Sequence, residues 1–449
     1  MTDDLNSFVF STADMTRVWS PQEQLRAMMR FEWALTCALE KHGLGEPGSG
    51  SVLKSMLDAN FVDVEGLQRE AKDAGNIAIP FVKQVTEAVK ARDERASRAI
   101  HLGATSQDVL DTALVLQMRV AVKLLNDAIE HLDRALVQQV RTHRNTVLSG
   151  RTWLQPGPPT TLGLKLAGTL AAVRRDRIRL DSAARRALVL QFGGAVGTLA
   201  ALNAAGGDVS AELARILELP EPELPWHAQR DNIAEIVQVL ALLTGSLAKF
   251  GRDVALLMQA EVSEASEARN TERGGSSTMP HKHNPVSCAA VIAAYARMPG
   301  LAATMLYALP QEHERGVGLW QSEWETVPEA FRLTAAALGY SIDIAENLEA
   351  DAARMQSNFD ALLGVTMAEA VSAALTPAIG RAAAQALLRE ATTRALQDKR
   401  HLGEILKQMP EVTSHLSRNN VDQLMNPHAY PGSAQRFIDR VLGEADARS

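Results

Sequence analysis

Between Asp111 and Thr146, apolar residues recur at Leu114, Met118, Ala121, Leu125, Ala128, Leu132, Leu136 and Val140, in steps of three and four. That period predicts one very long amphipathic helix. Comparable patterns predict helices over about 160–190, 231–262, 286–308 and 327–347. Thirty helical residues span about 45 Å, so five such rods can bury their stripes only by lying side by side. The first hundred residues read as shorter helices, with breaks at Gly43 to Gly50 and around Gly75 to Pro80. Asp14 and Ser20-Pro21 look like helix starts, the latter a cap followed by proline in the first turn. After Asp351 the helices shorten again, with breaks near Pro377, Gly403, Pro410 and Pro427. No strand pattern of comparable strength is present. The expectation is an all-α protomer of three domains: 1–103, a long central bundle over 104–348, and 349–449. Its stripes are wide, interrupted by Gly and Ala, and lack sustained heptads. That suits a globular bundle burying surface against further copies of itself better than a coiled-coil scaffold.

Composition narrows the picture only a little. At 449 residues, with 46% hydrophobic and 22% charged residues, the chain is an ordinary globular one. Aromatics at 4%, set against abundant alanine and leucine, favour helix over strand. A net charge of -7 argues against general attraction to nucleic acid or anionic membrane. The N-terminus lacks a secretory layout, and no apolar run reaches the roughly 20 residues that span a bilayer. A cytoplasmic protein is expected. Cys37 and Cys288 are far apart and outside any C-x-x-C pattern, so both are expected to be reduced.

Three segments have compositions that helix packing does not explain. His101-Leu102-Gly103-Ala104-Thr105-Ser106-Gln107-Asp108 runs into Asp111-Thr112 at the head of the long helix, where backbone N–H groups and neutral donors favour an anion. Gly150-Arg151-Thr152-Trp153-Leu154-Gln155 precedes a proline-rich stretch that reads as a loop capping the next helix. Gly274-Gly275-Ser276-Ser277-Thr278-Met279-Pro280-His281-Lys282-His283-Asn284-Pro285 combines glycines, hydroxyls, one lysine and one amide without an acid. It suits a small anionic organic molecule held beside a reactive serine. His281 and His283 lack the further ligands a metal needs, and Gly193-Gly194 with Gly197 is no dinucleotide fingerprint, so neither metal nor cofactor is expected.

Together these segments resemble the aspartase/fumarase superfamily, which includes argininosuccinate and adenylosuccinate lyases. The resemblance implies an all-α homotetramer with a twenty-helix core and active sites assembled from three subunits. It implies that Ser276 is the catalytic residue, exchanging a proton at the carbon beside a carboxylate. Lys282 would stabilise the serine alkoxide and, with Asn284, bind the carboxylate on which charge accumulates. Trp153 departs from the two named lyases, which carry a histidine there to protonate the leaving nitrogen. Indole cannot do that. A carboxylate leaving group, whose conjugate acid has a pKa of about 4, needs no proton. With Gln191 to Gly194, Trp226 to Asp231, Pro310 to Arg315, Gly318 to Trp320 and Glu323 to Glu325, the chain is similar to the carboxymuconate-lactonising branch. That branch implies a tricarboxylate substrate, for which Lys282, Arg315, Arg151 and Arg230 are the candidate cations, with a structural ion pair the equal alternative for Arg151 and Arg230; His101 and Gln229 are candidate further ligands. Thr105, Ser106, Gln107, Thr152 and Trp153 complete the expected pocket. Gln155-Pro156-Gly157-Pro158-Pro159 is richer in proline than the branch leads one to expect, which leaves room for a sulfonated muconate as substrate. A fumarate-releasing lyase and a non-catalytic helical scaffold also stay open.

Overall fold

The computed structural model describes residues 7–267, 275, 279 and 282–444. Helix makes up 68% of the structure and strand 4%, the all-α class that the periodicity predicts. In chain order, the elements that position the site begin with α1 (Pro21–Lys41) and α2 (Ser106–Thr142). The ribbon β1 (Val147–Thr152) and β2 (Gln155–Thr161) follows, then α3 (Leu162–Ala187) and α4 (Asp231–Leu257). Next come β3 (Ala265–Ser266), α5 (Val286–Tyr307) and α6 (Glu323–Glu346). Last are β4 (Glu349–Ala350), α7 (Ala352–Asp360), α8 (Ala368–Ile379) and α9 (Arg381–Asp398).

Local chemistry explains where several of these elements start. At α1, Ser20 is the N-cap, its hydroxyl accepting from the Glu23 N–H at 3.3 Å, and Pro21 occupies the first turn. Asp14 lies in the first turn of a short helix whose N-cap is Thr12, two residues earlier than the sequence suggests. Along α2 the stripe positions Met118, Ala121, Leu125, Leu132, Leu136 and Val140 are buried, and Leu114 and Ala128 partly so.

Two features depart from the sequence pattern. The stretches flanking Trp153 form a hairpin where a loop is expected: β1 and β2 pair antiparallel, with Val147 opposite Thr161 and Thr152 opposite Gln155. Prolines at 156, 158 and 159 hide the strand from periodicity. A two-stranded ribbon tolerates them because each strand has an unpaired edge. The second departure concerns membrane length. By length and composition alone, α4 and α5 are both apolar enough to cross a bilayer, contrary to the expectation that no segment would be. Isolated charges such as Arg297 punctuate otherwise apolar helices, so no unbroken apolar run marks them in the sequence. The fold buries 61% of the most apolar window of α4 and 39% of that of α5.

Contacts divide the chain into two compact units. The first comprises 1–129, 176–245 and 293–339, and the second 130–175, 246–292 and 340–449. The first is cored by side chains such as Met28, Phe31, Val109, Phe192 and Phe331, with Phe31 edge-on to Phe192 at 6.3 Å. In the second, Phe359, Leu375, Leu388, Leu402 and Leu406 form a core among α7, α8, α9 and the short helices that follow.

Candidate active site

At the head of α2 in the first unit, two aspartates organise the surrounding loops. Asp108, fully buried, accepts from the N–H groups of Gly193 at 3.0 Å, Gly194 at 2.9 Å and Thr105 at 3.0 Å. His227 Nε2 lies 2.6 Å from its Oδ1. The bond to Thr105 is the back-reaching half of a capping box, so this carboxylate itself serves the positive end of the helix. Gly194 must be glycine: its φ is +68°, and a Cβ there would meet the Gly103 carbonyl at 2.8 Å.

Asp111, one turn further along, accepts from Arg230 at 2.7 and 3.0 Å, from the Trp320 indole at 3.1 Å and from Gln107 at 3.0 Å. Arg230 is buried, lies over the Trp226 ring at 4.7 Å, and also donates to Glu323 at 2.6 and 3.0 Å. Burial opposes its charge, but Asp111 and Glu323 outweigh that and raise its pKa. Burial likewise pushes the Glu323 carboxyl up, with Arg230 pulling the other way. Arg230 therefore belongs to a structural ion cluster, the second of the two roles its sequence leaves open, and not to the substrate cations. A desolvated guanidinium flanked by two carboxylates has no charge left to offer.

Gln107, expected to face substrate, is also turned inward. Its amide nitrogen donates to Asp111 and to the His227 carbonyl at 2.8 Å, and its oxygen accepts from Arg315 at 3.3 Å. Arg315 differs from Arg230. Its hydrogen bonds go to neutral oxygens, the Ala195 carbonyl at 2.8 Å, the Gly194 carbonyl at 3.3 Å and Gln107. Among the described residues no carboxylate pairs with it, so it keeps a full charge for an anion.

His101 sits nearby in sequence, with a left-handed φ of +58°. Its Nδ1 lies 2.7 Å from Glu32 Oε1, and its backbone N–H donates to Glu32 Oε2 at 3.0 Å. Burial works against the charged imidazole, yet Glu32, by charge and hydrogen bond, and Asp108 overcome it and raise the pKa. His101 is thus suited to meet a carboxylate as a cation. Thr105 and Ser106 are half-buried at the start of α2, and Gln229 is exposed, its N–H bonded to the Trp226 carbonyl. Glu32, Asp108 and His227 do not stand out as site residues in the sequence. Asp108 and His227 lie within quoted motifs, whereas nothing local marks Glu32.

Arg151, Thr152, Trp153, Lys282 and Asn284 lie in the second unit. Trp153 and Leu154 form the two-residue loop joining β1 to β2, with φ of +53° and +63°. Both central residues being left-handed is the geometry of a primed hairpin turn, which asparagine and glycine ordinarily fill. Trp153 is 95% exposed. Thr152 is exposed at the end of β1. Both terminal nitrogens of Arg151 bind Glu264, at 2.8 and 2.7 Å. Lys282 is exposed and Asn284 half-buried. Ser276 lies outside the described residues. On either side of it, Gly275 and His283 pair as an isolated antiparallel bridge. After Asn284, Glu267 caps α5 by accepting from the Ser287 and Cys288 N–H groups, both at 3.1 Å. Cys288 is buried, and that burial, with Glu267 beside it, pushes its thiol well up and keeps it protonated.

Residues 22–300 match the family model described as lyase, and 364–441 match the adenylosuccinate lyase C-terminus. The chain is 47% identical to 3-carboxy-cis,cis-muconate cycloisomerase of Pseudomonas aeruginosa, over 98% of this chain and 95% of that relative. Its fold matches the crystal structure of 3-carboxy-cis,cis-muconate lactonizing enzyme from Pseudomonas putida with a TM-score of 0.93 at 43% identity, covering 99% of each chain. A fumarate lyase structure from Mesorhizobium sp. matches at 0.89 and 35% identity, over 97% of this chain and 98% of that one. The chain therefore belongs to the lyase family and groups there with the 3-carboxy-cis,cis-muconate cycloisomerases.

Proposed function

We propose that this chain closes 3-carboxy-cis,cis-muconate to 4-carboxymuconolactone, a step of protocatechuate breakdown through the β-ketoadipate route. The observation that carries the reading is Trp153, an indole at the tip of the hairpin where a nitrogen-releasing lyase needs a proton donor. In the forward direction a substrate carboxylate oxygen adds to one carbon of a C=C bond. The electron pair moves to the neighbouring carbon, beside another carboxylate, and Ser276 delivers a proton there. One C–O and one C–H bond form, one π bond is lost, and solvent restores the serine proton. The isomerisation balances without oxidant, reductant or cofactor. Lys282 stabilises the serine alkoxide left after transfer. In sites shared between copies of the chain, Arg315, His101 and Asn284 take substrate carboxylates, with Thr105, Ser106, Thr152 and Gln229 as neutral neighbours.

The working form is proposed to be a cytoplasmic homotetramer with sites shared between copies. The long helices support this, since they expose Val120, Ile178, Leu242, Leu306 and Tyr307. Apolar side chains recurring on helices already packed on their other faces fit further copies of the chain.

A spectrophotometric assay tests the reaction. Muconate absorbance should fall on adding enzyme, and Ser276→Ala should abolish the loss. Unchanged absorbance at high enzyme concentration, or fumarate released from adenylosuccinate or argininosuccinate, would overturn the reading.

A further inference from the structure

The structure assigns Arg151 and Glu264 to a positioning pair that aims the Trp153 hairpin, in place of the substrate-binding role that sequence suggests for Arg151. This rests on the proposed cycloisomerase reading, in which Trp153 lies at the reacting site. Arg151 stands two residues before Trp153, and its Nη1 and Nη2 donate to Glu264 Oε2 and Oε1 at 2.8 and 2.7 Å. Such a forked pair fixes orientation as well as distance. Glu264 is fully buried, so losing Arg151 would strand its charge.

Glu264 is itself held from behind. Asn358 on α7 donates to Glu264 Oε1 at 2.9 Å and to the Val262 carbonyl at 2.7 Å. Arg354, one turn earlier on α7, donates to the carbonyls of Val262 at 3.1 Å and Glu261 at 2.9 Å. The backbone of Glu264 adds two more bonds, donating to the Leu257 carbonyl and accepting from the Asp351 N–H, each at 3.0 Å. The adjoining β3 pairs with β4. The segment following α4 is thus a fixed post, and the hairpin is tied to it through Arg151.

The hairpin needs such a tie because its own ladder is weak. Pro156, Pro158 and Pro159 remove three N–H donors from β2, and the register shifts between Ser149 and Arg151. A two-stranded ribbon is marginal in water by itself, and this one is anchored at its base, where β1 packs on α7 with Leu148 buried, but its tip reaches into solvent. Its tip also holds two non-glycine residues in left-handed conformations. The Arg151 pair is the side-chain tie closest to the tip, two residues from the indole whose direction it sets.

The experiment compares Glu264→Gln, Arg151→Lys, Arg151→Met and the double variant Arg151→Met/Glu264→Gln. Without substrate, time-resolved anisotropy of Trp153 emission, isolated by subtracting a Trp153→Phe protein, should gain a fast component in every variant. With 3-carboxymuconate, kcat should fall about 10- to 100-fold in each single variant. KM should stay within about threefold, because no contact to substrate is removed. The double variant should be no worse than the worse single. If Arg151→Met fails to fold, the isosteric Glu264→Gln carries both readouts. Unchanged anisotropy and kcat in Glu264→Gln would overturn the proposal, as would a raised KM with intact kcat in Arg151→Lys. Should the wild-type protein not turn over muconate, the cycloisomerase reading fails while the anisotropy still decides whether the pair aims the hairpin.

Discussion

Two carboxylates bind Arg230, and removing that one side chain leaves both of them buried and unpaired. Arg230→Met is therefore expected to cost about 3–5 kcal/mol of stability, read as a lowered midpoint in denaturant unfolding. The sequence shows the charge but not its partners, which lie 119 and 93 residues away along the chain. That separation is why the sequence leaves Arg230 evenly balanced between a structural ion pair and a substrate ligand. His101 is the opposite case, because its motif does place it among candidate ligands, and Glu32 adds a reason for its charge. Its pKa is raised above the ordinary 6.5. The stability it contributes is full below about pH 6.5 and fades as pH rises through the raised folded value. Glu32→Gln should lower the His101 pKa, seen as a shifted imidazole titration by NMR. An unchanged titration would separate the two residues. Asp108 also acts on the ring by its charge, and it stays in place in that variant.

At the scale of elements, the long helices are legible because an apolar step of three and four survives any tertiary context that buries one stripe. The β1–β2 ribbon is not. Prolines break its alternation, and its turn carries Trp-Leu where sequence rules look for Asn-Gly. Each non-glycine residue in that conformation costs about 1–3 kcal/mol. Replacing the tip by Trp153→Asn with Leu154→Gly should raise the melting temperature while kcat for muconate collapses. A variant that gained stability and kept its activity would show the tip to be dispensable. Gly194→Ala probes the other tight turn: a methyl 2.8 Å from the Gly103 carbonyl cannot be relieved by a side-chain rotation. Loss of folded yield or a drop of several degrees in melting temperature is expected.

For the whole molecule, the all-α class follows from the run of long helices, and the chemistry class from the motifs. How copies of the chain meet cannot be read from one periodic stripe, because a stripe says that a face is buried and not by what. The paired substitution Leu306→Asp with Tyr307→Asp should dissociate the proposed tetramer, shown as a fall in sedimentation coefficient; an undisturbed assembly would place the interface elsewhere. The apolar helices α4 and α5 have one more consequence, felt before any assembly exists. As they leave the ribosome they satisfy, by length and apolarity, the criteria by which insertion machinery selects membrane segments. Folding of one chain hides most of the apolar window of α4 but only 39% of that of α5, so in the proposed tetramer α5 is the helix whose shelter depends on another copy.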